Sequence, residues 1–188
     1  ALLADYDIDQ GREEPRDDLQ EIWAQPSAPY ALDEGGWLAG GLTDLQGRFN
    51  LNSLAARAGG GGGQGGEGGE RGQTARFTPA QAQFIRLLQA LEEPGLGQQE
   101  AVLITESIAD WLDPDSTPSL DGAEDDYYFG LSPAYRAANR PMTSVSELRA
   151  VAYVTPEIYA ALQDYVTVWP LTPGKLNIHT APAMVLRS

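Results

Sequence analysis

Gly47-Arg48-Phe49-Asn50-Leu51-Asn52-Ser53 returns near the far end of the chain as Gly174-Lys175-Leu176-Asn177-Ile178-His179-Thr180. Glycine, base, apolar residue, asparagine, apolar residue, polar residue and hydroxyl line up position by position. Phe49-Asn50-Leu51-Asn52 alternates apolar and polar, the period of a strand with one buried face. Residues 174–180 read as a second strand running into a helix capped by Thr180. Upstream, Gly35-Gly36 opens a stretch from Trp37 to Leu54 whose apolar residues are spaced as in strands and turns, with Asn50 and Asn52 interleaved.

Between the two copies the period becomes helical. Thr78-Pro79-Ala80-Gln81 is a capping box with proline at the first helical position, and Phe84, Ile85, Leu87, Leu88 and Leu91 follow as a broad apolar face that Pro94-Gly95 terminates. A second helix is expected from about Gln99 to Trp111, with Ala101, Ile104, Ile108 and Trp111 on one face. A third should begin at the capping box Ser144-Val145-Ser146-Glu147. A fourth should begin at Thr155-Pro156-Glu157, with Ile158, Leu162 and Tyr165 facing inward.

Similar turns on both sides of a helical stretch imply a module inserted into another fold. The chain is thus expected to be α+β, divided into residues 1–58 as the first part of a core, 59–77 as a loop, 78–170 as an inserted all-helical domain with an acidic loop, and 171–188 as the return to the core. Residues 59–72 hold ten of the 21 glycines and read as a flexible coil; no Gly-Lys-Ser/Thr follows, so this is not a phosphate loop. The sequence stops at Ser188, a few residues into a helix, which reads as a fragment.

Composition narrows the function. The 188 residues carry 12 Lys plus Arg against 27 Asp plus Glu, a formal charge of −15 that disfavours nucleic acid and anionic lipid as partners. No cysteine and a single histidine exclude disulfides, thiolate nucleophiles and zinc or iron sites built on several His or Cys ligands. No apolar run is long enough to span a bilayer, and Ala1-Leu2-Leu3-Ala4 lacks the charged start of a signal peptide. Cysteine absence fits cytosol and periplasm alike.

The acid is unevenly spread. The first 34 residues hold ten acids, read as a solvated surface segment; residues 105–130 hold eight and no base. From Asp113 to Asp126, six of fourteen residues are carboxylates: Asp113, Asp115, Asp121, Glu124, Asp125 and Asp126. Crowded carboxylates raise one another's pKa and destabilise a compact loop. A divalent cation removes that penalty, and calcium, which accepts six to eight oxygens in flexible geometry, suits the donor set. Counted from Asp113, acids fall at the first, third, ninth and twelfth places of an EF-hand loop, but Pro118 stands where that loop needs glycine. The loop is of calcium type without being an EF-hand; an exposed acidic loop is the alternative.

The same residues admit an enzymatic reading. Asp110, Asp113 and Glu124 lie near Trp111, Tyr127, Tyr128 and Phe129, and acids beside aromatic platforms can bind or hydrolyse sugars. That leaves a calcium-dependent extracellular enzyme or carbohydrate-binding module as a second class. His179 has no Gly-x-Ser-x-Gly elbow to serve and is expected to be packed or hydrogen-bonded. Asn50, Asn52 and Asn177 read as turn and strand-end hydrogen-bonding residues.

Several segments together carry a resemblance. Asp44-Leu45-Gln46-Gly47-Arg48-Phe49-Asn50-Leu51-Asn52-Ser53-Leu54, Asp110-Trp111-Leu112-Asp113 through Gly122-Ala123-Glu124-Asp125-Asp126-Tyr127-Tyr128, Tyr135 to Pro141, Ser144 to Leu148, and Leu176-Asn177-Ile178-His179-Thr180-Ala181-Pro182-Ala183 occur in an order that resembles the GspK family, the large minor pseudopilins of the type II secretion system. The resemblance implies a pseudopilin fold, an N-terminal helix plus antiparallel sheet, with an inserted helical domain. It implies calcium, with Asp113, Asp115, Glu124, Asp125 and Asp126 on the family's acidic segments and Asp121 in a more variable part. It implies no enzymatic activity. It also implies a heterotrimeric tip complex with GspI- and GspJ-type minor pseudopilins, contact with GspH-type and major pseudopilins, and a place on the periplasmic side of the bacterial inner membrane. The membrane anchor would be an N-terminal helix absent here apart from a tail at Ala1 to Tyr6. The glycine run departs from the family pattern, and the last strands of the fold would lie beyond Ser188.

Overall fold

The computed structural model describes residues 17–55 and 76–188. The glycine-rich stretch, the expected helix tail at residues 1–6 and part of the N-terminal acidic cluster lie outside the described residues.

The chain is α+β. A short hairpin, β1 (Tyr30–Ala31) with β2 (Trp37–Leu38), is antiparallel and pairs Tyr30 with Leu38. Gly35 and Gly36 turn it with φ of 88° and 102°, a region open chiefly to glycine. A 3-10 turn at Leu45–Gly47 leads into β3 (Phe49–Asn50) and a second 3-10 turn at Leu51–Ala55. Helices α1 (Pro79–Ala90) and α2 (Gln98–Leu112) form the body of the module. There follow α3 (Asp125–Phe129), a 3-10 segment at Val145–Ala150, α4 (Pro156–Leu162), β4 (Val166–Thr167) and α5 (Ala183–Arg187). Among the described residues, no helix is long and apolar enough to cross a membrane.

The caps work as their spacing predicts. Thr78 and Gln81 exchange both bonds of a capping box, and Pro79 occupies the first helical position. The Thr155 hydroxyl accepts from the Ile158 amide and starts α4. The apolar faces then meet. Phe84, Leu87 and Leu88 of α1 and Ile104, Ile108 and Trp111 of α2 are buried with Leu51, Leu54, Leu148, Ile158, Leu162 and Val166 in one core. Phe49 packs on Phe84 with ring centroids 5.1 Å apart.

Four local expectations are corrected. The Trp37–Leu54 stretch has only two-residue strands, with 3-10 turns between. Ser144 caps a 3-10 segment in place of an α-helix; only Leu148 is buried there, so no long apolar stripe enforces the α period. Residues 174–180 are not a strand. The Asn177 carbonyl accepts from the Thr180 and Ala181 amides and turns the chain there, and β3 pairs in parallel with β4 instead, Phe49 opposite Val166. Thr180 caps no helix: its hydroxyl donates to Asp44 at 2.6 Å, and α5 starts after Pro182 because the residue before a proline disfavours helical backbone.

The repeat is nonetheless structural. The Asn50 side-chain oxygen accepts from the Asn52 amide at 3.0 Å, and the Asn177 oxygen accepts from His179 at 3.1 Å. The Ser53 hydroxyl returns to the Asn50 carbonyl at 2.6 Å, and Thr180 returns to Asn177 at 3.4 Å. Each copy is the same asparagine-capped turn. The copies also meet: Asn177 donates its amide to the Gln46 carbonyl at 2.9 Å, and a Cβ on Gly47 would strike Thr180. The chain segments flanking the helical module are thus fastened to each other. The surroundings of the copies differ: Ile178 is exposed where Leu51 is buried, and the next position differs too. His179 is exposed and, among the described residues, hydrogen-bonded through its backbone amide without being packed, whereas Asn52 is buried. The Asn52 amide donates to the carbonyls of Met142 and Val168, and its oxygen accepts from the Met142 amide at 2.9 Å.

Candidate functional site

Glu106, Asp110 and Asp113 recur at intervals of four and three residues, so Glu106 and Asp110 share one face of the C-terminal half of α2 and Asp113 follows at its C-cap. All three are buried, Asp110 completely. Burial of carboxylates needs partners, and the loop from 114 to 124 folds back to provide them. The Ser119 hydroxyl and amide both donate to the Asp110 carboxylate, the former at 2.6 Å. The Asp121 amide donates to Glu106 at 2.6 Å. Arg76 reaches in from outside the acidic stretch, donating to Glu106 at 2.7 Å and to Asp121 at 2.5 Å. Asn139, with a positive φ of 47°, ties the loop to the helix end by donating to the Trp111 and Asp115 carbonyls, each at 2.9 Å.

Gly122 lies against this cluster. A Cβ there would overlap the Asp110 carboxylate and crowd the Glu106 carbonyl. Glycine at 122 is required by close approach. Gly122→Ala should cost about 2 kcal/mol as the loop is pushed off α2. A thermal melt that leaves Tm unchanged would contradict this placement.

Glu124 is the group left without compensation. Its side chain is 3% exposed, and neither oxygen has a hydrogen-bond partner among the described residues. Burial, then the charges of Asp110 and Asp113, push its pKa from 4.5 up to about 7; the nearby Asp125 amide draws it down by less. Burial also raises Asp110, against the bonds from Ser119.

The six expected ligands therefore divide. Asp113 and Glu124 are buried and electrostatically coupled, with Asp110 as the third member. Asp113 also caps its own loop, accepting from the Asp115 amide at 3.2 Å. Asp115 accepts from the Thr117 amide at 2.9 Å. Asp121 is paired with Arg76, and Asp125 accepts from the Ala137 amide at 3.1 Å. Asp126 is exposed. Among the described residues, no three His, Cys, Asp or Glu side chains are drawn together as a finished metal cage. The donor chemistry still fits a hard cation: two buried carboxylate oxygens lack donors, beside two further buried carboxylates. Sequence points to Asp110 only as a candidate acid; its helical spacing from Glu106 and Asp113 is the signal for its true neighbours.

The sugar-platform reading loses its surface. Trp111 and Tyr128 are buried and pack edge to face at 5.3 Å, and the Tyr128 hydroxyl accepts from the Ala152 amide. These rings are core, shielded from any ligand. Tyr127 and Phe129 are exposed, but they stand outside the buried carboxylate cluster.

The family model for type II secretion system protein K matches residues 47–171. The chain belongs to the type II secretion system protein K family. Protein K of Pseudomonas aeruginosa is 37% identical over 185 residues, covering 96% of this chain and 49% of the relative. Protein K of Aeromonas hydrophila is 39% identical over 163 residues, covering 86% and 46%. The chain thus spans about half the length of the curated relatives it matches. Among solved structures, a chain of the GspK-GspI-GspJ complex from enterotoxigenic Escherichia coli matches with a TM-score of 0.76 and 29% identity, over 99% of this chain and 61% of that one. This protein K family member therefore shares its fold with that chain.

Proposed function

We propose that this chain is the globular part of a minor pseudopilin that sits at the tip of the type II secretion pseudopilus, in complex with GspI- and GspJ-type subunits. The observation that carries the reading is the structural likeness, over 99% of the chain, to a chain of a GspK-GspI-GspJ complex. The contact of Gly47 with Thr180 is in keeping with it, because it brings the segments before and after the helices together. A subunit too large to be stacked upon ends a filament. The role is one of assembly, not catalysis, and its place is the periplasmic side of the inner membrane, from which the filament grows. If gold-labelled protein appears only at the ends of pseudopili, the reading stands; label along the shafts would refute it.

The acidic loop is proposed to hold structural calcium. Asp113 and Glu124 would be ligands, with the Asp110 charge beside them and loop oxygens from Asp115, Asp125 and Asp126 within the same segment. The ion would supply positive charge to buried carboxylates and lock the loop onto α2. Two uncompensated buried oxygens on Glu124 support this over an exposed acidic loop.

A further inference from the structure

A cavity of about 320 Å³ opens where the two copies of the repeat meet α1 and the segment after β4, and none of the acidic-cluster residues lines it. Its floor is apolar, with Phe49, Leu176, Pro170 and Pro173, and Trp169 beside it is half exposed. The two basic residues of the repeat, Arg48 and Lys175, both line it. Among the described residues lining it, none is acidic. That is unusual in a chain of net charge −15. The described ion pairs use Arg76 and Arg140. Arg48 makes only a 3.5 Å contact to the Gln163 carbonyl, so both cations remain available to an incoming group.

We propose that this slot binds an extended acidic segment of a partner polypeptide, with apolar side chains on the Phe49–Trp169 floor and carboxylates on Arg48 and Lys175. Charge complementarity selects this occupant. Arg48 can take a carboxylate in two-pronged fashion, Lys175 as a point charge. The exposed amide of Gln46 lies where it can bond a peptide backbone. The rest of the acidic surface does not forbid binding, because charges beyond about 8 Å are screened at physiological salt. The proposal stands apart from the calcium reading, since it uses none of the same residues.

The test is fluorescence anisotropy with the intact protein and a rhodamine-labelled heptapeptide alternating glutamate with leucine. Binding should weaken at least tenfold in the Arg48→Glu, Lys175→Glu double variant and at least threefold in Lys175→Glu alone. Lys175 is exposed, so the single variant keeps its fold, checked by an unchanged melt. The peptide with lysine in place of glutamate should not bind. No binding by the intact protein, as when a segment of its own chain fills the slot, would overturn the proposal. Equal binding by the variants or by the lysine peptide would overturn it as well.

Discussion

In chelator, the protein should be more stable at pH 5 than at pH 7.5, and Glu124→Gln should erase most of that difference. The Glu124 carboxyl stands at about 7 in the folded chain against 4.5 ordinarily. Between these values the folded state holds a proton that the unfolded state has released. Stability is therefore full below pH 4.5 and falls as pH rises through 7. Each unit is worth about 1.4 kcal/mol, so the shift corresponds to roughly 3 kcal/mol, felt at pH 7.5 as a penalty. Asp110, raised by burial, adds in the same direction. Glu147 is lowered: bonds from Thr143 and Ser144 and the charge of Arg140 outweigh its burial, so its contribution is lost only in more acid solution. Calcium should abolish the fall at pH 7.5 in the unmodified protein by mass action on the folded state. The Glu124→Gln substitution, isosteric and neutral, should stabilise the chelated protein by up to about 3 kcal/mol and blunt the calcium response. Melts across this pH range, with and without calcium, measure both effects. A flat profile in chelator would remove the uncompensated carboxylate, and an equal calcium shift in the variant would remove Glu124 as a ligand.

The second large effect is expected at Asn52. Its side chain joins the turn after β3 to Met142 and Val168, 90 and 116 residues away in sequence. Asn52→Leu keeps the size but strands one buried amide and two buried carbonyls. Each unpaired group costs about 1–3 kcal/mol, so a loss of roughly 4 kcal/mol is expected. For a chain of this length that lowers Tm by on the order of 10 °C. His179 holds the same position in the second copy but is exposed, and His179→Leu should shift stability by less than about 0.5 kcal/mol. Paired melts of the two variants check this. Similar shifts in both would mean that Asn52 does no more than its surface counterpart.

The contrast between Asn52 and His179 also marks what sequence can and cannot convey. Capping boxes and the 3.6-residue apolar period are local, so α1 and α2 are legible almost to their ends. The repeat is legible as a pattern, and its two turns share the same hydrogen bonds. What the repeat does with its partners is not legible. The pairing of β3 with β4, the tether from Thr180 to Asp44 and the clamp by Asn52 all join residues far apart in the chain, 90 in the nearest case, and no local spacing encodes such contacts. The site follows the same division. Asp113 and Glu124 stand out as acids in a loop without bases, but Arg76 reaches Asp121 across 45 residues and removes it from the uncompensated set. Glu106 stays hidden in the sequence, and Asp110 shows only as a candidate acid, because acids on a helix ordinarily face water and the returning loop and Arg76 that cover them are not local.

The measurement that bears most directly on the whole account is size-exclusion chromatography with light scattering of this protein mixed with GspI- and GspJ-type subunits, in calcium and in chelator. The account predicts a 1:1:1 complex in calcium and a weakened or absent one in chelator, as the acidic loop loosens from α2. Three separate species under both conditions would contradict it.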